Sequence, residues 1–176
     1  MYCIFLTQTY TVEDCKDYQP LTSNAHQSRR TIPTAVTNAS IFGYSDDGWK
    51  FGNATSYSRI IHSLSLSFPF SIEFQINELS GNNNPLAVFI YSNGNTPNTG
   101  VTYQGGTWSV SGQSLSRSIT MGDIIRIDFE SGKSTLYING TSLKQGTHSV
   151  NAPTNVEFHT ASSRYVRIKN FKIKPL

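Results

Sequence analysis

The chain has 176 residues, of which 14% are charged and 37% hydrophobic, and its formal net charge is +3. This length corresponds to about one domain of the usual ~100 to 200 residues and is sufficient to bury a core. The charged fraction lies well below the roughly 25% of an average soluble protein, which favours an extracellular or virion β-protein over a cytosolic helical enzyme. No apolar run approaches the ~18 residues of a membrane span, so we expect no membrane insertion.

The N-terminal segment, residues 1–40, has the loosest pattern of the chain. Its opening MYCIFLTQTY lacks the basic region and the cleavage site of a signal peptide. We expect this segment to hold a first strand and one possible helical turn at VEDCKDYQ. Cys3 and Cys15 either form a disulfide or are small buried apolar groups, and we expect them to lie close together. No linker or repeat divides residues 41–176 from this segment, so the sequence predicts one domain over 1–176.

Two segments show the clearest strand patterns. In FPFSIEFQIN, apolar and polar residues alternate, which predicts a strand with one buried face and with Glu73, Gln75 and Asn77 on the wet face. The segment DIIRIDFE alternates in the same way and places Arg126 and Asp128 on its wet face. PLAVFIYS is apolar on both faces and is therefore expected to be a central strand.

Turn residues separate these strands and predict four hairpins. The turns fall at Asp47-Gly48, Gly105-Gly106, Ser131-Gly132 and Asn139-Gly140. Asn-Gly is the strongest of these signals, because both residues accept the positive φ of a type I′ turn. In RYVRIKNFKIK the apolar residues change from even to odd positions, which predicts a β-bulge near Asn170. Short strands at this spacing predict an all-β, two-sheet antiparallel sandwich.

The succession GWKFGN, FSIEFQI, AVFIYS, DIIRIDFESGKSTLYINGTSL and VRIKNFKIKPL resembles the concanavalin A-like lectin/glucanase jelly roll, in its laminin-G-like and glycan-binding versions. The resemblance covers about residues 40 to 176. It implies a jelly-roll β-sandwich whose wet, concave sheet face holds a saccharide. The chain also resembles tail and adhesion domains of phages and of methanogenic archaea, in which a piece like VEDCKDYQPLTS precedes the sandwich.

Catalytic and metal-binding patterns are weak, and we predict no catalytic residue and no cofactor. Hydrolases of this fold place two acids close together on one strand face, whereas EFQINE has Gln75 between its acids and gives Glu73 and Glu78 opposite parity. The four histidines lack zinc-ligand spacing and are expected to be surface or partly buried groups, namely His26, His62, His148 and His159. Calcium at Asp46 and Asp47, or at residues 82–84, is a weaker alternative.

A binding surface remains the best interpretation of the wet strand faces. Saccharides stack on aromatic rings and bind planar polar side chains. Tyr91 is the preferred stacking platform. The predicted ligand-binding residues are Tyr91, Glu73, Gln75, Asn77, Arg126, Asp128, Trp49 and Trp108, with Tyr57 and Tyr103 as further candidate platforms. Each of these aromatic side chains could instead belong to the core.

The leading hypothesis is therefore a non-catalytic, glycan-binding or adhesion module at a cell or virion surface. One alternative is a structural or assembly module of a virus tail or adhesin that binds other virion or surface proteins. A second alternative is a polysaccharide-cleaving enzyme. Nucleic acid is not an expected partner, because the basic residues near the C-terminus alternate with apolar ones as on a solvated strand face; they are Arg164, Arg167, Lys169, Lys172 and Lys174.

Overall fold

The computed structural model describes residues 35–37, 41–45, 48–53, 58–63, 67–81, 86–92 and 99–176, and every regular element in these ranges is a β-strand. The first sheet has the spatial order β1 (Ala35–Thr37), β4 (Ser58–Ser63), β13 (Pro153–Thr160), β6 (Leu86–Ser92), β7 (Thr99–Gln104), β8 (Thr107–Val110) and β9 (Gln113–Ser116). The second sheet has the order β12 (Thr141–Thr147), β11 (Lys133–Ile138), β10 (Ile124–Glu130), β5 (Phe70–Leu79), β14 (Arg164–Pro175), β3 (Gly48–Asn53) and β2 (Ile41–Ser45).

All strand pairs in these two sheets are antiparallel. The predicted two-sheet antiparallel sandwich is therefore confirmed. Residues 86–92 of the segment PLAVFIYS form β6, which pairs with β13 on one side and β7 on the other, so the predicted central position is correct. Among the described residues, no helix is long and apolar enough to cross a bilayer.

The two sheets share one apolar core, and three phenylalanines join them across it. Phe158 of β13 contacts Phe74 of β5 and Phe171 of β14, with ring centroids 5.3 and 5.1 Å apart and both pairs in the T-shaped arrangement that aromatic rings favour. The inward residues of the two predicted alternating strands are fully buried: Phe70, Ile72, Phe74, Ile76, Ile125, Ile127 and Phe129. The inward and outward faces predicted for β5 and β10 are thus largely confirmed.

The bulge predicted near Asn170 is present in β14. The register with β5 shifts between Lys169 and Lys172, and Asn170 has a φ of 55°. The extra residue allows Ile168 before the bulge and Phe171 after it to face the core. One strand can therefore bury its apolar residues on both sides of the parity change.

The hairpin at Asn139-Gly140 is tied to the neighbouring loop by side-chain hydrogen bonds. Both turn residues have positive φ, 52° and 80°, as a type I′ turn requires. Asn139 Oδ1 accepts a 2.9 Å hydrogen bond from the backbone of Ile124, and Asn139 Nδ2 donates a 2.7 Å bond to Asp123 Oδ1. Asp123 Oδ2 accepts a bond from the backbone of Thr120. These hydrogen bonds thus fix the Asn139-Gly140 turn to the residues that lead into β10.

The other predicted hairpins are present. Gly105-Gly106 and Ser131-Gly132 connect paired strands. Ser45 pairs with Gly48, so β2 and β3 form the predicted hairpin and Gly48 is the first residue of β3, while Asp47 lies outside the described residues. Cys3, Cys15, the helical turn at VEDCKDYQ, and the calcium candidates Asp46, Asp47 and 82–84 lie outside the described residues.

Phe74→Ala is expected to lower the free energy of unfolding by about 3 to 5 kcal/mol, because it removes a fully buried ring from the contact between the sheets. Urea denaturation of both proteins measures this difference. Ile124→Ala is a control on the same sheet: Ile124 is 44% exposed, and its truncation is expected to cost under about 1 kcal/mol. Equal losses in the two variants would contradict the assignment of Phe74 to the inter-sheet core.

Candidate functional site

The predicted site residues do not all lie on one surface. Glu73 and Gln75 of β5 and Arg126 and Asp128 of β10 point outward from the second sheet, and Glu73 is the register partner of Arg126. Tyr91 lies on β6, where Leu86, Val88 and Ile90 face the core, so it points outward from the first sheet. Tyr91 and the predicted polar group are therefore on opposite sides of the sandwich, and the prediction that they form one site is wrong.

Ion pairs occupy the charged groups on the outward face of the second sheet. Arg126 makes two contacts with Asp128, Nε to Oδ1 at 3.1 Å and a terminal nitrogen to Oδ2 at 3.2 Å. The same guanidinium lies 3.9 Å from the ring centroid of Tyr137. Glu73 pairs with Lys172 at 3.2 Å. Asp128 was expected in solvent, but it is buried with 6% exposure next to Arg126.

The remaining polar residues predicted on β5 have structural contacts. Gln75 Nε2 donates to the carbonyl of Gly122 at 2.9 Å, and Gln75 Oε1 accepts a bond from Asn170. In the pairing with β14, Ile76 and Glu78 have consecutive partners, so Asn77 is the extra residue of a β-bulge. These contacts bind β5 to its neighbours.

The Asn77 bulge also corrects the prediction that Glu73 and Glu78 have opposite parity and so lie on opposite faces of the strand. Glu78 contacts Lys50 and Arg167 on the outward face, the same face as Glu73. Five residues of strand nevertheless separate the two acids by about 15 Å, well beyond the ~5 to 9.5 Å of a glycosidase pair. Burial acts to raise the pKa of Glu78, but the hydrogen bonds of Lys50, Tyr165 and Arg167 and the charge of Lys50 together hold it below its usual value.

Two of the predicted aromatic platforms belong to the core. Trp108 is 1% exposed and Tyr103 is 2% exposed, and their ring centroids are 5.1 Å apart. Trp108 faces inward from β8, so the prediction that it binds a ligand is wrong. The side chain of Trp49 and all of Tyr57 lie outside the described residues, and Trp49 remains a prediction.

The outward face of the first sheet carries a cluster of polar and aromatic side chains. Val156 and Phe158 of β13 face the core, so strand alternation directs Glu157 and His159 outward. The cluster consists of Arg59 on β4, Glu157 and His159 on β13, and Phe89 and Tyr91 on β6. We refer to these five residues as the first-sheet cluster.

The side chains of the first-sheet cluster are in direct contact. His159 Nε2 lies 2.8 Å from Glu157 Oε2, and a terminal nitrogen of Arg59 lies 3.6 Å from the same oxygen. The His159 ring meets Phe89 edge to face at 4.9 Å and stacks with Tyr91 at 6.3 Å. The result is one carboxylate between two nitrogen donors, with two aromatic rings against the imidazole.

Gly100 on β7 makes room for this arrangement. A Cβ at Gly100 would lie 2.2 Å from Cδ1 of Phe89, far inside van der Waals contact. Phe89 can therefore lie directly against the backbone of β7 only because this position is glycine. The strand places the Phe89 ring where it contacts His159.

Burial controls the protonation of the cluster. Glu157 is 3% exposed and His159 is 6% exposed, although both point away from the inter-sheet core. This burial lowers the pKa of His159, and the charge of Arg59 acts in the same direction, whereas the hydrogen bond and charge of Glu157 act to raise it. At neutral pH the imidazole is uncharged. Because a carboxylate only accepts hydrogen bonds, the Nε2 atom of His159 carries the proton that binds Glu157.

Glu157 and His159 were not among the predicted site residues, and His159 is more buried than expected. The signal was present in NVEFHT, where the two residues share parity and are opposite in parity to Val156 and Phe158. The segment was recognised only as a strand. Within the described part of the chain, no group of three or more His, Cys, Asp or Glu residues could hold a metal ion.

Comparisons with known proteins identify the fold. No family model matches the chain, and no curated protein matches its sequence. A sialidase superposes with a TM-score of 0.61 at 11% identity over 72% of this chain, which spans only 15% of the sialidase. The carbohydrate-binding module CBM66 from Bacillus subtilis has a TM-score of 0.59 at 14% identity, with 81% of this chain and 96% of the module covered. The SPRY domain of human HERC1 has a TM-score of 0.56 at 18% identity, with coverages of 82% and 97%.

The lowered pKa of His159 predicts how the stability of the protein changes with pH. Because its folded-state pKa lies below the unfolded value, the unfolded chain binds the proton first as the pH falls. The free energy of unfolding should be at its full value above about pH 6.5. As the pH falls from there towards the folded-state pKa, the free energy of unfolding should decrease by at most about 1.4 kcal/mol per pH unit for one histidine. Burial lowers the pKa of His148 as well, which adds a contribution of the same sign.

Denaturation between pH 7.5 and 5.5 tests this prediction in the wild type and in His159→Gln. The variant retains His148, so it should lose less stability than the wild type over this range without losing all pH dependence. An NMR titration of the His159 ring should give a pKa below that of a free histidine. Identical pH slopes in the two proteins, or an unshifted ring titration, would contradict the buried, neutral imidazole.

Proposed function

We propose that this chain is a non-catalytic carbohydrate-binding module and that the first-sheet cluster is its glycan site. The observation that carries the proposal is the Glu157 carboxylate, which lies between Arg59 and His159, together with the rings of Phe89 and Tyr91 that contact His159. Aromatic rings pack on the C–H faces of sugars, and planar charged groups bind their hydroxyls in a fixed orientation. CBM66, which shares this fold over nearly its whole length, is itself a carbohydrate-binding module.

The roles of the cluster residues follow from their chemistry. Tyr91 is half-buried and supplies a ring face with a polar hydroxyl at its edge. The Arg59 side chain is 39% exposed, so its remaining N–H groups can reach a sugar hydroxyl while one terminal nitrogen faces Glu157. Glu157 and His159 are fixed by their mutual bond and by burial, which pre-organises the surface for a ligand.

The module belongs to an extracellular, cell-surface or virion protein and provides adhesion to a glycan. The low charged fraction of the chain supports this proposal. A structural or assembly module would need a broad apolar patch instead of a polar cluster. Three large apolar side chains among the described residues are exposed, namely Met121, Ile124 and Leu176.

Hydrolysis is not part of the proposal, because a glycosidase uses two carboxyl groups that flank the bond. Among the described residues that point outward from the first sheet, Glu157 is the one acid, and the side chains that contact its carboxylate are those of Arg59 and His159. The acids on the second sheet are paired with lysine or arginine. Binding without turnover fits this distribution.

A glycan array followed by calorimetric titration of the best ligand tests the site. Tyr91→Ala is expected to weaken binding by about 1 to 3 kcal/mol, by analogy with the loss of an aromatic platform under a stacked ring. Its stability should change less than that of Phe74→Ala. Tyr137→Ala is the matched control, because Tyr137 is also a half-buried tyrosine but lies on the second sheet.

Two results would refute this placement. One is unchanged affinity in Tyr91→Ala, which would move the glycan site to the loops around Trp49 or residues 93–98. The other is a stability loss in Tyr91→Ala as large as that of Phe74→Ala, which would assign Tyr91 to the core. The absence of any glycan ligand, together with specific capture of a virion or surface protein, would favour the assembly module.

Incubation with β-glucan, alginate and peptidoglycan-type polymers should release no new reducing ends. A colorimetric assay for reducing sugars, with a known glucanase as the positive control, measures this. Turnover that disappears in Glu157→Gln or in Glu73→Gln would identify an enzyme and overturn the proposal that the module is non-catalytic.

A further inference from the structure

The basic charge of the sandwich is concentrated on one side. The described outward positions of β3, β5, β10, β11 and β14 carry seven basic and four acidic side chains, a net charge of +3. The basic residues are Lys50, Arg126, Lys133, Arg167, Lys169, Lys172 and Lys174. The acidic residues are Glu73, Glu78, Asp128 and Glu130. On the described outward positions of the first sheet, the charged residues are Arg59 and Glu157, whose opposite charges cancel. The two faces therefore differ strongly in charge, and the positive face is not the one that holds the first-sheet cluster.

The excess charge forms a line along one strand. Arg167, Lys169, Lys172 and Lys174 occupy successive outward positions of β14, because the bulge at Asn170 preserves the outward direction on both sides of it. At ~3.3 Å per residue the row is about 20 Å long. We call these four residues the β14 row.

The acids next to the β14 row neutralise only part of it. Glu78 pairs with Arg167, and Glu73 pairs with Lys172. Lys169 is opposite Gln75, and Lys174 is opposite Ser71. Within the described part of the chain, neither of these two lysines makes an ion pair with an acid.

The tyrosines on this face indicate which polyanion it suits. The ring of Tyr137 lies under Arg126, and the ring of Tyr165 lies under Lys50 with the nitrogen 4.0 Å from its centroid. Single-stranded nucleic acids bind through bases stacked on open aromatic rings, and these two rings are already covered by cations. A polymer recognised through regularly spaced anionic groups needs no such stacking.

We propose that the β14 row is a second binding surface, for a linear anionic polysaccharide that bears carboxylate or sulfate groups. The ligand lies along β14 and places its anions against Lys169 and Lys174, with Arg167 and Lys172 exchanging between their acidic partners and the polymer. This surface is on the opposite side of the sandwich from the first-sheet cluster, so it does not depend on the proposed function.

The test measures binding of the full chain to polygalacturonate and to dextran sulfate, with uncharged dextran as the blank, by fluorescence anisotropy of labelled polymers. We expect binding to at least one anionic polymer, and the two polymers distinguish carboxylate from sulfate. Affinity should fall roughly 10- to 100-fold between 50 and 200 mM salt, by scaling the release of counterions to two to four contacts.

The double variant Lys169→Gln, Lys174→Gln should bind about tenfold more weakly. Its charge-matched control is Lys133→Gln, Lys144→Gln, which removes two charges away from the row: Lys133 is on β11 and Lys144 on edge strand β12, three and four strands or about 14 and 19 Å from β14. The control is expected to remain within twofold of the wild type. Thermal melts of each variant check folding.

Several results would overturn the inference. They are absence of binding to both anionic polymers at 50 mM salt, equal affinity in the row variant and the wild type, and equal weakening by the row and control variants. Tighter binding of an oligothymidylate, or of vesicles containing 20% phosphatidylserine, would assign the row to nucleic acid or to a membrane surface instead.

Discussion

The contact of Phe158 with Phe74 and Phe171 determines more of this molecule than any other interaction. Because side chains alternate along a strand, a residue held inward directs its two neighbours outward. Phe158 therefore places Glu157 and His159 on the outward face of the first sheet. Phe74 does the same for Glu73 and Gln75, and Phe171 for Lys172, on the second sheet. The aromatic core thus determines which side chains form each outer surface, and the two surfaces differ in charge and chemistry.

Sequence periodicity was sufficient to predict the strands, their buried faces and the bulge at Asn170, because each depends on the local alternation of side chains. It could not show which sheet a strand joins. Tyr91 was placed beside Glu73 for this reason, although β6 and β5 belong to different sheets. Trp108 was misassigned because an indole at an alternating position can serve a core as well as a binding platform, although it belongs more often to a core. The cluster of Glu157 with Arg59 needs the pairing of β13 with β4, which no local pattern specifies.

The two outward faces use charge in different ways. On the first sheet, a buried carboxylate is held by an imidazole and a guanidinium, where the low dielectric strengthens each contact and makes the arrangement rigid. On the second sheet, the ion pairs of Lys50 with Glu78 and of Lys172 with Glu73 are partly exposed, so each is individually weak and can exchange with solvent or with other ions. Rigid groups favour a ligand of defined shape, whereas exchangeable ones favour a ligand recognised mainly by its charge.

The strand order also has a consequence for how the chain folds. β13 lies between β4 and β6, and β14 lies between β3 and β5, so the two latest described strands occupy interior places in sheets whose other strands come earlier. The ion pair of Glu73 with Lys172 already spans 99 residues. Until residues 153–175 leave the ribosome, four strands have open edges that can pair with other chains. Synthesis of this domain therefore includes an aggregation-prone interval before β13 and β14 emerge, and neither sheet can be completed until these two strands have been made.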